Sequence, residues 1–171
     1  MKIGIDPDKA GAFCIMDKGV ILEVKPFILE QVQVGKKFKD MISYHKTSLT
    51  ITHDIEGCDA YIEKPFVPAT HGGGEVTWRN YQTAYLLFQE IGCNMIEVRP
   101  QKWHKQLGVS APDHIDKKER RPWIKNACHE LVKTKYPDVD LSTYSTKTGK
   151  KLKAVNQGII DSICIALYEN N

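Results

Sequence analysis

The sequence has no cysteine or histidine pattern that would hold a fold together or build a zinc site. Its five cysteines are an odd number and include no Cys-x-x-Cys pair, so neither a disulfide framework nor a zinc ribbon is indicated. Its six histidines form no His-x-x-x-His or His-Glu-x-x-His motif. Cys14, Cys93 and Cys164 lie among apolar residues, which predicts that they are small core residues.

Long apolar runs are also missing. No stretch approaches the roughly 18 residues of a membrane span, and polar residues begin at Lys2, without an apolar leader. We therefore expect no membrane partner. Free cysteines and the missing leader together predict a reducing cytoplasm as the setting.

The chain as a whole has little excess of positive or negative charge, but its segments differ strongly in charge. The formal net charge is +3, yet residues 1–98 carry −3, residues 99–153 carry +8 and residues 154–171 carry −2. A basic block between two acidic segments suggests a polyanion as partner. A lysine-rich face that is simply solvated explains this distribution equally well.

What is present is the composition of one ordinary globular domain. The chain has 171 residues, of which 42% are apolar and 26% are charged, and we see no repeat or linker that divides it. Alternation or a short apolar run between turn signals predicts strands at 2–6, 12–16, 20–24, 59–63 and 94–98. Helical spacing of apolar residues predicts helices at 28–43, 77–91, 101–107, 116–135 and 158–168. Segments 66–76 and 138–155 are predicted loops. A strand meander followed by alternating strands and helices predicts one α/β domain over 1–171, with a mixed sheet covered by helices.

Three acids stand inside apolar sequence. Asp6 ends the first predicted strand, Glu63 ends the fourth, and Asp161 lies one turn into the last helix. A lone buried carboxylate is costly, but a cluster is tolerable if it binds a divalent cation, and Mg²⁺ prefers oxygen ligands. Each acid taken singly is explained better by a lysine partner or a helix cap, whereas the three at these positions together favour a metal site.

Five segments, in this order and spacing, resemble the Holliday-junction resolvases of the RuvC type, and in particular their small phage and viral relatives. They are Gly4-Ile5-Asp6-Pro7 with Gly11-Ala12; Tyr61-Ile62-Glu63-Lys64-Pro65-Phe66; Val98-Arg99-Pro100-Gln101-Lys102-Trp103 with Leu107-Gly108; Asp116-Lys117-Lys118 with Tyr136-Pro137; and Gly158-Ile159-Ile160-Asp161-Ser162 with Ile165-Ala166-Leu167. The resemblance implies a ribonuclease H-like five-stranded sheet with helices on both faces.

The resemblance also implies a chemistry. Asp6, Glu63 and Asp161 would be catalytic metal ligands for two Mg²⁺ ions about 4 Å apart, with Mn²⁺ able to substitute. The reaction would be hydrolysis of paired phosphodiester bonds in four-way DNA junctions, leaving 5′ phosphates. Two symmetric cuts imply a homodimer, and a phage gene would place the protein in host-cell cytoplasm.

The sequence departs from the family pattern at one ligand. The family brings a fourth acid or a histidine about one turn before the last aspartate, where this chain has Gln157. Gln157 is therefore a candidate uncharged metal ligand, since an amide oxygen also binds Mg²⁺. Asp8 is the other candidate, although as a residue after a strand it is explained more simply as part of a turn.

The basic block then has a role in binding phosphates. Lys102 and Lys118 are candidate catalytic cations that would stabilise developing phosphoryl charge, although Lys102 is equally well a surface lysine. Further residues are candidates for contact with the DNA backbone: Arg99, Lys105, Lys117, Arg120, Arg121, Lys125, Lys147, Lys150, Lys151 and Lys153.

Two other segments are candidates for contact with DNA or with a second subunit. Phe66 follows Glu63 by three residues and is either a wedge at the junction centre or a core residue. Gly73 lies in a triple-glycine loop that could approach DNA closely. Trp78, Tyr81, Tyr85 and Phe88 recur at helical spacing and are predicted to be core or dimer contacts rather than readers of DNA.

Other functions stay open at this point. They are a broader nuclease for flaps and branched nucleic acids, and a junction-binding protein whose catalysis is weakened at Gln157. An actin-like ATPase shares the Gly-Ile-Asp opening, but that fold needs two such domains and the chain holds one.

Overall fold

The computed structural model describes residues 1–66, 74–144 and 151–169; of residues 143, 144 and 151–153 it describes only the backbone. Nine strands lie in these ranges: β1 (Lys2–Asp6), β2 (Ala12–Asp17), β3 (Val20–Pro26), β4 (Leu29–Val34), β5 (Lys37–Ile42), β6 (Asp59–Glu63), β7 (Asn94–Val98), β8 (Ser142–Tyr144) and β9 (Lys151–Val155). The helices of the same ranges are α1 (Tyr44–Ser48), α2 (Gly74–Glu90), α3 (Pro100–Gln106), α4 (Lys117–Lys135) and α5 (Gln157–Leu167).

Five of the strands form one mixed sheet in the order β3-β2-β1-β6-β7. The chain runs up and down through β1, β2 and β3, which pair antiparallel as the predicted meander, and β6 and β7 then add parallel to β1. In this register Ile5 lies beside both Phe13 and Ile62. This confirms the predicted mixed five-stranded α/β sheet.

Helices cover both faces of this sheet, as predicted. On one face Ile5 and Phe13 pack with Leu87 and Phe88 of α2. The other face carries Cys14 and Tyr61 against Ile160 and Ile163 of α5, and α4 packs outside them through Cys128 and Val132. The alternation of apolar side chains along each strand divides them between these two cores.

Two glycines allow α5 to lie directly on the sheet. A Cβ atom at Gly4 of β1 would lie 2.0 Å from the carbonyl oxygen of Ser162, and a Cβ atom at Gly158 would lie 2.0 Å from that of Ala10. Any larger residue at either place would force α5 away, because backbone atoms cannot give way as a flexible side chain does. The first turns of α5 are therefore held against the end of β1, which brings Asp161 towards Asp6.

The predicted helix over 28–43 is wrong. This segment forms a hairpin of β4 and β5 with the register Val34 to Lys37, outside the five-stranded sheet. Gly35 has a φ of 61° at the first central position of the two-residue turn, as a type II′ hairpin requires. Polar and apolar residues alternate through 31–34, and this period of two prevails over the helical spacing of the apolar residues in the segment.

The predicted loop over 138–155 is also partly wrong. Its described ends are β8 and β9, which pair antiparallel. The amide of Asn156 donates to the carbonyl of Leu141 over 2.7 Å, so this small sheet leads directly into α5. The rest of the segment, including Lys147 and Lys150, lies outside the described residues.

The remaining boundaries agree with the predictions to within three residues, and β6 and β7 match at both ends. Cys14, Cys93 and Cys164 are buried, as predicted. Among the helices in the described ranges, none combines the length and apolar character needed to cross a membrane.

Candidate active site

The three predicted acids come together in one pocket. Asp6 and Glu63 stand at the carboxyl ends of the parallel neighbours β1 and β6, and Asp161 reaches the same edge from α5. All three line a cavity of about 350 Å³. Separate elements thus deliver three carboxyl groups to the end of the sheet where parallel strands point, a common place for ligands in α/β folds.

Burial and mutual repulsion disfavour ionisation of these acids. The pKa of Asp6 is raised well above its usual range by burial and then by the charges of Asp161 and Glu63. Burial raises the pKa of Glu63 to about 7, and it raises the pKa of Asp161 to about 6. A pocket that holds several acids and resists their ionisation is suited to a compensating cation.

A polar group holds each acid in place. The indole Nε1 of Trp103 donates to Glu63 Oε2 over 2.9 Å, and the amide Nε2 of Gln157 donates to Asp161 Oδ1 over 2.9 Å. The backbone amide of Asp8 donates to Asp6 Oδ1 over 3.2 Å. These donors favour the ionised acids and so oppose the effect of burial.

The structure places both candidates for the fourth ligand beside the site, in different roles. Gln157 donates a hydrogen bond from its amide nitrogen to Asp161. The amide oxygen of the same side chain is the atom that would bind a metal. Asp8 is exposed, lines the cavity with the three acids, and its charge raises the pKa of each of them. Asp8 also sits in a turn, since its carbonyl accepts from the amide of Gly11 over 2.8 Å.

The cations that reach this cavity are a subset of those predicted. Lys117, Arg120, Arg121 and Lys125 line it, and their spacing places them along one face of α4. Lys125 and Arg121 lower the pKa of Asp161. Lys125 is thus close enough to Asp161 to stabilise its ionised carboxylate.

Other predicted cations lie elsewhere on the surface. Arg99, Lys102, Lys105 and Lys118 are exposed and are not among the residues that line the cavity. On α3 the side chains that do line it are Pro100, Trp103 and His104. The spacing along α3 therefore turns its apolar and aromatic side chains, rather than Lys102, towards the acids.

The aromatic and glycine candidates have different outcomes. The side chain of Phe66 is 84% exposed, so its interpretation as a core residue is wrong. Gly73 and Lys150 lie outside the described residues, as do the side chains of Lys151 and Lys153. Tyr81 and Phe88 are buried in the core, and Trp78 and Tyr85 are half-buried beside it.

Sequence reasoning did not assign a role to Trp103. The sequence does contain an indication that Trp103 has a special role. It is a large aromatic residue within a polar helix, where it belongs to no apolar stripe. It is almost fully buried and its ring contacts that of His104, with centroids 3.9 Å apart. Trp103 thus fills the floor of the site and positions Glu63.

The donor set fits Mg²⁺ in chemical type. Mg²⁺ prefers carboxylate oxygens and usually binds one or two of them together with waters and substrate phosphates. Within residues 1–66, 74–144 and 151–169 no three His, Cys, Asp or Glu side chains are arranged to hold a metal ion by themselves. The fit therefore rests on four acids in one pocket, which need not all touch a single ion.

Comparison with known proteins finds no matching family model and no matching curated protein. Among solved structures, the chain is similar to T. thermophilus RuvC in complex with Holliday junction substrate, with a TM-score of 0.47. It is also similar to a second Thermus thermophilus RuvC structure, with a TM-score of 0.49. In both cases the identity is 12%, and the match covers 97% of this chain and 90% of the other. The fold class of this chain rests on its own strand order and directions.

Proposed function

We propose that this protein is a metal-dependent endonuclease that resolves four-way DNA junctions. The observation that carries the proposal is the single pocket that joins Asp6, Glu63 and Asp161 to the cationic face of α4. Acids for a metal and cations for phosphates are both needed to cut a polyanion, and this pocket supplies both. The resemblance of five sequence segments to RuvC-type resolvases supports the choice of substrate.

The residues of the site divide the work in this proposal. Asp6, Glu63 and Asp161, with Asp8 or Gln157, would hold Mg²⁺ or Mn²⁺, which supplies activation of water and neutralisation of phosphate charge when bound. Trp103 and Gln157 orient two of the acids through their hydrogen bonds. Lys125 and Arg121 line the same cavity as the acids and would bind the phosphate there.

The proposal includes a homodimer, since one site per subunit would make the two symmetric cuts of a junction. The outer face of α2 is the candidate interface. Leu86 is 49% exposed there, beside an apolar groove of about 460 Å³ that also involves Tyr85 and Glu97. The proposed setting is a reducing cytoplasm, which the five free cysteines support.

The test is cleavage of a synthetic four-way junction with Mg²⁺ or Mn²⁺, compared with a flap and a plain duplex of the same sequence. We expect paired symmetric nicks with 5′ phosphates in the junction alone. Equal cutting of flap and junction would assign the protein to the broader nuclease class. Binding without cutting in either metal would instead support the junction-binding protein.

A matched pair of variants controls this assay. Asp6→Asn removes one carboxylate from the centre of the cavity and should abolish cutting while junction binding in EDTA persists. Asp17→Asn, at the opposite end of the sheet, should cut as the wild type does, since Asp17 pairs only with the N-terminal amine among described partners. Full activity of Asp6→Asn would remove that residue from the site.

A further inference from the structure

The hairpin of β4 and β5 has no part in the proposed site, yet its tip has an unusual composition. The run Gly35-Lys36-Lys37-Phe38-Lys39 places three lysines and one phenylalanine at the turn, without an acid among them. The side chains of all three lysines are exposed, and Phe38 is 67% exposed. Among the described residues, none of these lysines forms an ion pair.

This composition is poorly explained by folding. An exposed phenylalanine gains little from burial in the protein, and three neighbouring lysines repel one another. The same groups suit a nucleic acid, because lysines neutralise phosphates and an aromatic ring stacks on an unpaired base. Both types of contact are available where the strands of a junction separate.

The base of the hairpin is attached to the wall of the candidate active site. Asp40 of β5 pairs with Lys9, whose Nζ lies 2.7 Å from Asp40 Oδ2, and Lys9 directly follows Asp8. The amide of Ile42 donates to Asn80 Oδ1 over 3.0 Å. Lys9 and Asn80 line a cavity together with Asp6 and Asp161, so the hairpin is anchored at the edge of the acids.

The pairing of the strands also orients the tip. Phe38, Asp40 and Ile42 alternate along β5 and therefore share one face of the hairpin. Asp40 on that face contacts the turn that follows β1, and Ile42 enters the core beneath it. Phe38 extends the same face outward, whereas Lys37 and Lys39 project from the other face.

We propose that the tip Gly35–Lys39 is a second DNA-binding element, in which the three lysines contact backbone phosphates and Phe38 stacks on a base at the branch. The choice of DNA rests on the proposed function. The hairpin would hold the substrate at the Lys9 and Asn80 side of the site. Arg121 and Lys125 of α4 line the site on that side too, and Lys117 and Arg120 line it on the side of Trp103.

The test measures junction binding in EDTA by fluorescence anisotropy over a series of salt concentrations. The variant Lys36→Gln/Lys37→Gln/Lys39→Gln removes three charges from the tip. Its control, Lys18→Gln/Lys133→Gln/Lys135→Gln, removes three charges from exposed lysines near the β2–β3 turn and the end of α4, where Tyr136 bonds to Gly19.

We expect the tip variant to weaken junction binding at least about tenfold and to reduce the slope of log Kd against log salt by about 2 to 3, since each phosphate contact contributes about 0.9. The control should match the wild type within about twofold. Equal affinity and slope for the two triple variants would overturn the proposal.

Phe38 is tested separately. Phe38→Ser should weaken junction binding by about fivefold or more at an unchanged salt slope, because stacking releases no counterions. Wild-type affinity of Phe38→Ser would overturn the stacking contact. A photo-cross-linking benzoylphenylalanine in place of Phe38 provides a second measurement that leaves every lysine intact, and it should cross-link to the branch-point strands.

The outcomes separate this inference from the proposed function. A wild-type protein that cuts junctions while the tip variant binds as its control does would overturn only the hairpin contact. A wild-type protein that binds junctions through the tip but never cuts would overturn the nuclease and leave the hairpin contact standing. Absence of any DNA binding would overturn both.

Discussion

At the residue scale, the candidate site depends on how a few side chains limit the repulsion between acids. Trp103, Gln157 and the amide of Asp8 each donate to one acid, while burial acts in the opposite direction. Burial is the largest cause of the raised pKa for all three acids. Without a metal, the ionised forms of these three acids therefore destabilise the folded protein.

This cost predicts a pH dependence of stability. A folded-state pKa of about 7 for Glu63, against 4.5 in the unfolded chain, contributes stability at low pH that is lost as pH rises through 7. Between pH 6.5 and 8 the free energy of unfolding of the metal-free protein should fall by about 1 kcal/mol from Glu63 alone. Asp6, whose pKa is also raised, adds to the loss.

The range from pH 6.5 to 8 isolates the acids of the site, because His104 and Glu23, whose pKa values are also shifted, affect stability mainly at lower pH. The pKa of His104 is lowered to about 4 by burial, so its contribution to stability rises with pH mainly below 6.5 and by only about 0.4 kcal/mol above it. Burial and hydrogen bonds leave the pKa of Glu23 at about 2, so the stability that its ionised form contributes changes with pH only below about 4.5.

The measurement is urea unfolding in EDTA at pH 6.5 and at pH 8. Glu63→Gln should remove the Glu63 part of the difference and millimolar Mg²⁺ should reverse it, whereas equal stability at both pH values would contradict the electrostatic account.

A second prediction at this scale concerns Trp103. Trp103→Phe keeps an aromatic ring in the core but removes the hydrogen bond to Glu63. We expect junction cutting to fall about tenfold or more and the Mg²⁺ concentration for half-maximal rate to rise, because Glu63 loses the donor that favours its charge.

The control for this prediction is Trp78→Phe, which changes a half-buried tryptophan of α2 that lines neither of the two described cavities that contain the acids. Both variants should unfold within about 2 kcal/mol of the wild type. A rate loss without any change in Mg²⁺ dependence would argue for loss of packing alone.

At the element scale, the site depends on the close contact of α5 with β1. Gly158→Ala would place a Cβ atom 2.0 Å from the carbonyl oxygen of Ala10 and 2.6 Å from the Cα of Gly11. We expect the start of α5 to shift, with a loss of about 2 kcal/mol or more in the free energy of unfolding and loss of cutting. Urea unfolding and the junction assay measure the two effects.

Gly19→Asn is the matched control for this prediction. Gly19 has a φ of 81° in the β2–β3 turn, and a Cβ atom there meets nothing within 4 Å. Asparagine tolerates this backbone region better than other residues with side chains, so the change should cost under about 1 kcal/mol. Equal stability of Gly158→Ala and wild type would show that α5 can adjust without disturbing Asp161.

Also at the element scale, the hairpin shows where local patterns are ambiguous. Ile28, Val32, Phe38, Met41 and Ile42 fit a helical spacing well enough to predict a helix. The alternation over 31–34 and the glycine before Lys36 were the competing signals. Here the pairing of two strands and the hydrogen bond from the amide of Ile42 to Asn80 of α2 decide the outcome, and neither is a local property.

At the scale of the whole molecule, the proposed homodimer makes its own prediction. Leu86→Asp places a charge on the exposed face of α2 beside the apolar groove. We expect sedimentation velocity to show a monomer, and junction cutting to change from paired cuts to single nicks. The reason is that a buried unpaired carboxylate is incompatible with an apolar interface.

Leu49→Asp is the control, because Leu49 is 72% exposed and lies outside α2. It should sediment and cut as the wild type does. Equal sedimentation of both variants and the wild type as dimers would place the interface elsewhere, and a monomeric wild type with paired cuts would remove the dimer from the proposal.

At this scale the structure also shows where the unevenly distributed charges of the chain lie in space. The acidic first segment contains Asp6 and Glu63, the basic segment contains the cations of α4, and the last segment contains Asp161. Folding brings all three segments to one cavity. The near-neutral total of +3 thus combines groups of opposite sign that face each other across the candidate site.

The sequence by itself determined the strands of the main sheet and the placement of the acids. Short apolar runs stopped by Lys64-Pro65 and Arg99-Pro100 marked β6 and β7, and Asp6 and Glu63 were placed at the ends of their strands. Such features are local, because they depend on residues that are close in the chain. The pairing of β1 and β6 as parallel neighbours came from the structure. The apolar pattern of the last segment also placed Asp161 one turn into a helix.

Only the tertiary structure decided which side chains face the acids. It selected Lys125 and Arg121 over Lys102 and Lys118, turned Trp103 towards Glu63, and attached the lysine-bearing hairpin to the turn at Lys9. These choices depend on how helices rotate and dock on the sheet. Docking is set by contacts between residues far apart in the chain, such as Gly158 with Ala10, and no local pattern contains them.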